Sequence, residues 1–152
     1  MLVDIHCHLD HELFSKDFDE VIKRAKMIIV SAGTNHKSNL DVLKLSKKYK
    51  NIKASLGLYP LDALNMCDKE IDDEIKFINK NSKNIVAVGE VGLDFKESKD
   101  KERQIRILTK IVNELNYLNK PFIVHSRSAE RECVELFEKL GVKKVVFHCF
   151  QG

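Results

Sequence analysis

Runs of β-branched and apolar residues recur along the chain at 2–6, 27–32, 52–57, 85–91, 121–125 and 144–148, each bounded by turn-prone or charged residues. Their lengths and residue types predict six strands. Between them apolar residues return in steps of three and four, most clearly at Ile105, Leu108, Val112, Leu115 and Leu118, then at Ala129, Cys133, Phe137 and Leu140. These are the marks of amphipathic helices. A weaker helix, from about 68 to 81, carries Ile71, Ile75 and Ile78 on one face. Ser128 can cap the helix that follows it, with Glu130 in its first turn and Gly141 just past its end, and Asn119 to Pro121 punctuates the previous helix and the next strand. Strict alternation of strand and helix predicts right-handed βαβ units and a parallel sheet.

Such a sheet either opens into a doubly wound fold or closes into an eight-stranded barrel, and periodicity does not choose between them. The polar residues do. Four of the six strands end in a residue suited to metal binding, and no Gly-x-Gly-x-x-Gly or Walker-type loop is present. Ligands on successive strand ends fit a TIM-type (β/α) barrel, whose site gathers at the C-terminal ends of its strands. A complete barrel takes about 250 residues and eight strands. The chain has 152 residues and about six strands, so residues 1–152 read as a single domain, C-terminally incomplete. Uncovered edge strands then predict poor solubility, self-association or pairing with another chain, or completion by a further segment.

In Asp4-Ile5-His6-Cys7-His8-Leu9-Asp10, alternation along a strand sends His6 and His8 to one face and Cys7 to the other. Either histidine alone reads most simply as a hydrogen-bonded strand-end residue, but a His-x-His pair at the end of a first strand shifts the balance to a metal. Glu90 closes the apolar run Ile85–Val88 between Gly89 and Gly92, glycines that allow close approach of backbone or ligand. A buried carboxylate without a partner is strongly unfavourable, so Glu90 needs cations or solvent. His125 closes Phe122–Val124 and His148 closes Val145–Phe147, each above inward-facing apolar residues, with Cys149 turned outward. Four histidines and one glutamate at the same end of successive strands are hard to explain as unrelated core residues. Imidazoles and a carboxylate suit borderline divalent cations, and a carboxylate has two oxygens with which to bridge a pair of them. Two such cations lower the pKa of water and neutralise phosphoryl charge, which favours hydrolysis of phosphodiesters.

The four motifs Asp4–Asp10, Gly89–Phe95, Val124–Arg127 and His148–Gly152, in this order, resemble the signatures of the TatD-type deoxyribonucleases, within the wider amidohydrolase-like metal hydrolases. The resemblance runs from the first residues to the last. It implies a TIM-type barrel, two divalent metal ions (Mg, Mn or Zn) and hydrolysis of a DNA substrate by a water activated between them. It makes His6 and His8 ligands of one metal, Glu90 the bridge and the catalytic residue, and His125 with His148 ligands of the second. Arg127 would lie near the substrate phosphate, although a surface Arg at a helix start competes with that reading. Asp10 and Asp94 would orient the ligands or cap loops. Two departures stand out. Tyr59, in Gly57-Leu58-Tyr59-Pro60, replaces a histidine common in the family, and either hydrogen-bonds substrate or packs. The family also places a metal-binding Asp on its last barrel strand, and no residue here can be assigned to it.

Composition adds little. A net charge of +3 permits a nucleic acid partner without demanding one. No apolar run approaches the roughly 20 residues of a membrane span, and Asp4, His6 and His8 stand where a secretory leader would be basic and apolar, so a cytoplasmic setting is expected. Cys7, Cys67, Cys133 and Cys149 show neither a Cys-x-x-Cys pair nor disulfide-scaffold density, so reduced thiols are expected. His11 and His36 read as solvated loop residues, and the Lys47-Lys48 and Lys143-Lys144 pairs as charged helix ends or loops. Two other functions remain open: hydrolysis of a small ester, amide or phosphoester at the same site, and an inactive metal-binding fragment.

Overall fold

The computed structural model describes residues 2–151. Strands β1 (Val3–Cys7), β2 (Ile28–Ala32), β3 (Ile52–Leu56), β4 (Ile85–Asp94), β5 (Phe122–Arg127) and β6 (Val145–Phe147) form one sheet. Neighbours pair in parallel, in the order β1-β2-β3-β4-β5-β6. A doubly wound sheet reverses its strand order at a switch point, whereas a barrel winds in sequence; the observed order is that of a barrel wall. The helices are α1 (Phe18–Arg24), α2 (His36–Lys48), α3 (Pro60–Leu64), α4 (Asp68–Lys80), α5 (Lys101–Leu115) and α6 (Glu130–Lys139). No helix among the described residues is long and apolar enough to cross a membrane.

The alternation expected along each strand decides what lies on each side of the sheet. On β5, Phe122 and Val124 join the core shared with α4, α5 and α6, which includes Ile78, Leu108, Val112 and Phe137. Ile123 turns the other way and packs with Val30 of β2 and Ala87 of β4, so the curved sheet has an inner apolar floor of its own. His125 follows Ile123 on that inner face. A third cluster, with Leu9, Ile22, Ile29 and Ile52, seats α1 and takes in Cys7. Cys7 therefore faces away from His6 and His8, as alternation requires. No cysteine is in a disulfide, and burial pushes the Cys7 and Cys133 thiols up to about 12. The outer edge of β1 exposes Leu2, Val3 and Ile5.

Several local expectations change. β4 runs on to Asp94, so Glu90 lies within the strand and not at its end. There β4 advances from Val88 to Val91 while β5 advances only from Phe122 to Val124, a bulge of one residue that re-aims the side chains beside it. Ser128 does not cap α6: it takes the left-handed conformation (φ 53), and Ala129 is the N-cap without a side-chain bond. Gly141 does follow the helix in the left-handed region (φ 68). His36 is not in a loop but opens α2, where Asn35 caps the helix by accepting from Ser38 N, and its Nδ1 meets Glu74 Oε2 at 2.7 Å. Lys47 and Lys48 occupy the last turn of α2, a charged helix end as expected.

Phe122 is fully buried, its ring 5.6 Å from that of Phe137 at the junction of sheet and α6. Phe122→Ala should cost about 3–5 kcal/mol, the range for emptying a large aromatic site. Urea unfolding followed by circular dichroism tests it, and a loss below about 1 kcal/mol would show that this core readily collapses into the space.

Candidate metal centre

Glu90 is 3% exposed and surrounded by imidazoles. Its Oε2 lies 3.4 Å from His6 Nε2 and 3.2 Å from His8 Nε2; its Oε1 lies 3.0 Å from His125 Nδ1 and 3.0 Å from His148 Nε2. One carboxylate oxygen faces the pair from the β1 end and the other the pair from β5 and β6. The rings pack closely: His6 stacks on His148 with centroids 3.9 Å apart, and His6 meets His8 edge to face at 4.8 Å. Ligand atoms of His6, Glu90 and His148 all lie within 4.8 Å of one another.

The outward nitrogens show which way the rings are held. His8 Nδ1 is 3.0 Å from Ala32 O, an atom that only accepts, so the proton sits on Nδ1 and the Nε2 lone pair points at Glu90. His125 Nε2 is 2.9 Å from Asp94 Oδ2, which commits that nitrogen as donor and turns the Nδ1 lone pair toward Glu90. In the neutral ring a lone pair then faces a carboxylate oxygen, acceptor against acceptor. Only a cation between them, a proton or a metal ion, makes this arrangement favourable. The donor set is of nitrogen and carboxylate oxygen, which suits borderline divalent metals. His6 Nδ1 and His148 Nδ1 are buried without a hydrogen-bond partner, so these rings are not held by a protein bond on the far side.

Without an ion, protons fill that role. Burial pushes the Glu90 carboxyl up, but hydrogen bonds from the four imidazoles, led by His125 and His148, outweigh it and hold it far below the carboxylate range. The bond to Glu90 raises His8 above the usual imidazole value. Burial works against the charge on His125, yet the bonds to Glu90 and Asp94 prevail and raise it too.

Beside this centre Asp94, fully buried, accepts hydrogen bonds on both carboxylate oxygens. Oδ2 takes the His125 proton and the Tyr59 hydroxyl (3.2 Å), while Oδ1 accepts from Lys96 N (3.1 Å) and Glu97 N (3.0 Å), capping the loop after β4. Burial raises the Asp94 carboxyl, but the Glu97 amide and His125 bonds bring it below its ordinary value. Tyr59 gives its hydroxyl to Asp94 and sets its ring edge-on to His125 at 5.0 Å, so it packs at the site; burial and the nearby Asp94 carboxylate push its phenol above 10. Gly92 is needed where it stands: at φ +149, a Cβ would fall 1.9 Å from His125 O. Asp10 Oδ2 accepts from Ser38 Oγ at 2.5 Å, tying the end of the His-x-His segment to α2. Arg127 closes β5 half exposed, 2.9 Å from Glu97 Oε1 and 4.0 Å from Asp94 Oδ2.

Asn39 and Glu74, both buried, escaped the sequence reading. Their signal was there: Asn39 shares a helical face with Val42 and Leu43, and Glu74 with Ile71, Ile75 and Ile78, so each is a polar residue at an apolar position. A recess of about 470 Å³ opens beside His125 and His148, lined also by Lys96, Arg127 and Ser128. A larger one, about 640 Å³, lies against α1 and the start of β2, where Asp19 is the sole carboxylate and no histidine is present.

The model of the TatD related DNase family matches residues 3–152. An uncharacterized metal-dependent hydrolase of Methanocaldococcus jannaschii is 39% identical over 153 residues, 99% of this chain and 59% of that protein. The deoxyribonuclease TATDN3 of Homo sapiens is 33% identical, over 99% of this chain and 61% of its own. The crystal structure of a TatD homologue from Escherichia coli K12 superposes with a TM-score of 0.89 at 28% identity, covering 99% of this chain and 61% of that one. The chain thus spans about three fifths of the length of the relatives it matches. With its sequential parallel strands, its imidazole-ringed Glu90 and a family match from the third residue onward, the chain belongs to the TatD family of metal-dependent hydrolases.

Proposed function

We propose that this chain carries the metal-binding half of a hydrolase that cleaves DNA phosphodiester bonds. The observation that carries the reading is Glu90, with one oxygen toward His6 and His8 and the other toward His125 and His148. His6 and His8 would hold one cation, His125 and His148 a second, and Glu90 would bridge them. When bound, such a pair lowers the pKa of water and neutralises charge on a phosphoryl group in line for displacement. The residues supply the rest. Ala32 O and Asp94 fix the rings of His8 and His125 with their lone pairs inward, and Tyr59 steadies Asp94. Glu90, held ionised by the imidazoles around it, would supply negative charge and one oxygen to each cation.

The recess beside His125 and His148 has Lys96 and Arg127 on its wall. Glu130 shares that wall, but Lys96 and the Arg127 donors that Glu97 leaves free suit a phosphate better than a neutral amide or ester. The relatives point the same way: one from Salmonella typhimurium is named a 3'-5' ssDNA/RNA exonuclease.

Incubated with Mg, Mn or Zn, the protein should shorten or nick labelled single-stranded DNA, with small phosphoesters and carboxylic esters cut poorly. Glu90→Ala should reduce metal-dependent cleavage to background. Cleavage that persists in that variant, or in chelator, would eliminate this function, and a preference for the small esters would reassign the substrate. Arg127→Ala should raise KM for DNA more than it lowers kcat.

In the metal-free protein, His8 and His125 hold protons above the ordinary imidazole value of 6.5. Their contribution to stability is complete below that unfolded value and is lost as pH rises through the folded ones. Glu90, held low, contributes above its unfolded value of 4.5 and loses it only in strong acid. The thermal midpoint of the chelator-treated protein should therefore fall over the interval above pH 6.5, the unfolded imidazole value. Calorimetry at fixed ionic strength checks it, and a midpoint that rises over that interval contradicts the protonated cluster.

A further inference from the structure

A chain of buried polar contacts leads from the surface to the backbone of Glu90, and none of its side chains touches the imidazoles. His36, half exposed at the start of α2, places Nδ1 2.7 Å from Glu74 Oε2. Glu74, 3% exposed on α4, accepts through Oε1 from Asn39 Nδ2 at 2.7 Å. Asn39, fully buried, grips both polar groups of Gly57: Nδ2 donates to Gly57 O at 2.8 Å, and Gly57 N donates to Oδ1 at 3.1 Å. Gly57 lies directly against the backbone of Glu90, where an added Cβ would fall 2.3 Å from Glu90 O. Glu90 N also donates to Gly33 O, just past β2, at 3.0 Å, and Ser55 Oγ of β3 donates to Gly89 O at 2.7 Å. The backbone at Glu90 is thus held by the ends of β2 and β3, and Asn39 sets the end of β3.

We propose that Asn39, oriented by Glu74 and His36, is a positioning residue that fixes the β3 end at Gly57 and thereby the place of the Glu90 carboxylate among its imidazoles. The energetics favour a positioning role over simple packing. Burying a carboxylate and an amide on the apolar faces of two helices costs desolvation that Leu or Ile in those places would avoid. What the polar set provides is direction: an amide with its acceptor on Gly57 N and its donor on Gly57 O has one orientation, and Glu74 makes the flipped one unfavourable by presenting only acceptors to Nδ2. Helices α2 and α4 are in this way tied to a point one backbone layer from the centre.

The test compares Asn39→Ala and Glu74→Gln with the parent protein, and with Val112→Ala as a cavity control on α5. The metal-free readout is the ring-nitrogen NMR spectrum of the four imidazoles, which reports the distance and charge of Glu90. Both variants should shift these resonances, and Val112→Ala should leave them in place even where it lowers the thermal midpoint as much. The metal readout is cobalt titration, where Asn39→Ala should weaken binding about ten- to a hundredfold, the loss seen for residues supporting metal ligands. This part rests on the metal reading of the site. A parent that takes up no cobalt therefore counts against that reading, while the imidazole spectrum still decides the positioning role. Should Asn39→Ala fail to fold, Glu74→Gln, which keeps an acceptor for Asn39 but also gains a donor, is read the same way. Imidazole resonances unmoved in the folded variants, with stability alone reduced, would overturn the proposal.

Discussion

Glu90 and the four imidazoles around it are the constraint to which the rest of the structure answers. A carboxylate 3% exposed cannot keep its charge in an apolar interior unless cations or donors replace the water it has lost. Here the compensation comes from β1, β5 and β6, which are distant in sequence from one another and from β4. The sheet must curve for these strand ends to meet, and the bulge in β4 turns Glu90 toward them. The inner floor of Val30, Ala87 and Ile123 fills the concave side beneath the cluster, so the polar centre rests on packed side chains.

Outside the cluster the structure works by fixing direction. Ala32 O and Asp94 each commit one imidazole nitrogen and leave the other facing Glu90. Tyr59 and the amides after β4 hold Asp94. Ser38 holds Asp10, and Glu97 holds Arg127. The rings of His8 and His125 are fixed with their lone pairs inward, while those of His6 and His148 have no bond on the far nitrogen. Lys96 and Arg127 line the recess beside His125 and His148, with Glu130 on the same wall and Glu97 paired to Arg127.

Much of this was legible along the chain. The strands show as short apolar runs because a strand covered on both faces has no polar side, and α4, α5 and α6 show through their apolar stripes. α1 and α3 give weaker patterns, being 7 and 5 residues long. At α6 residue type and backbone disagree: Ser128 is a good capping residue by type, but adopts a left-handed backbone that moves the helix start beyond it.

The sequence by itself determined which residues could meet a cation. Alternation places His6 with His8 and opposite Cys7, and puts His125 above Ile123, because both follow from the two-residue period of a strand. Only the tertiary structure decided how they meet. Which Glu90 oxygen faces which histidine pair, which imidazole nitrogen is committed outward, and that Asn39 and Glu74 reach the Glu90 backbone through Gly57 depend on contacts between residues 18 (Asn39 to Gly57) to 84 (His6 to Glu90) positions apart. Local periodicity carries no information over such separations, since they are set by sheet curvature and by the register of neighbouring strands.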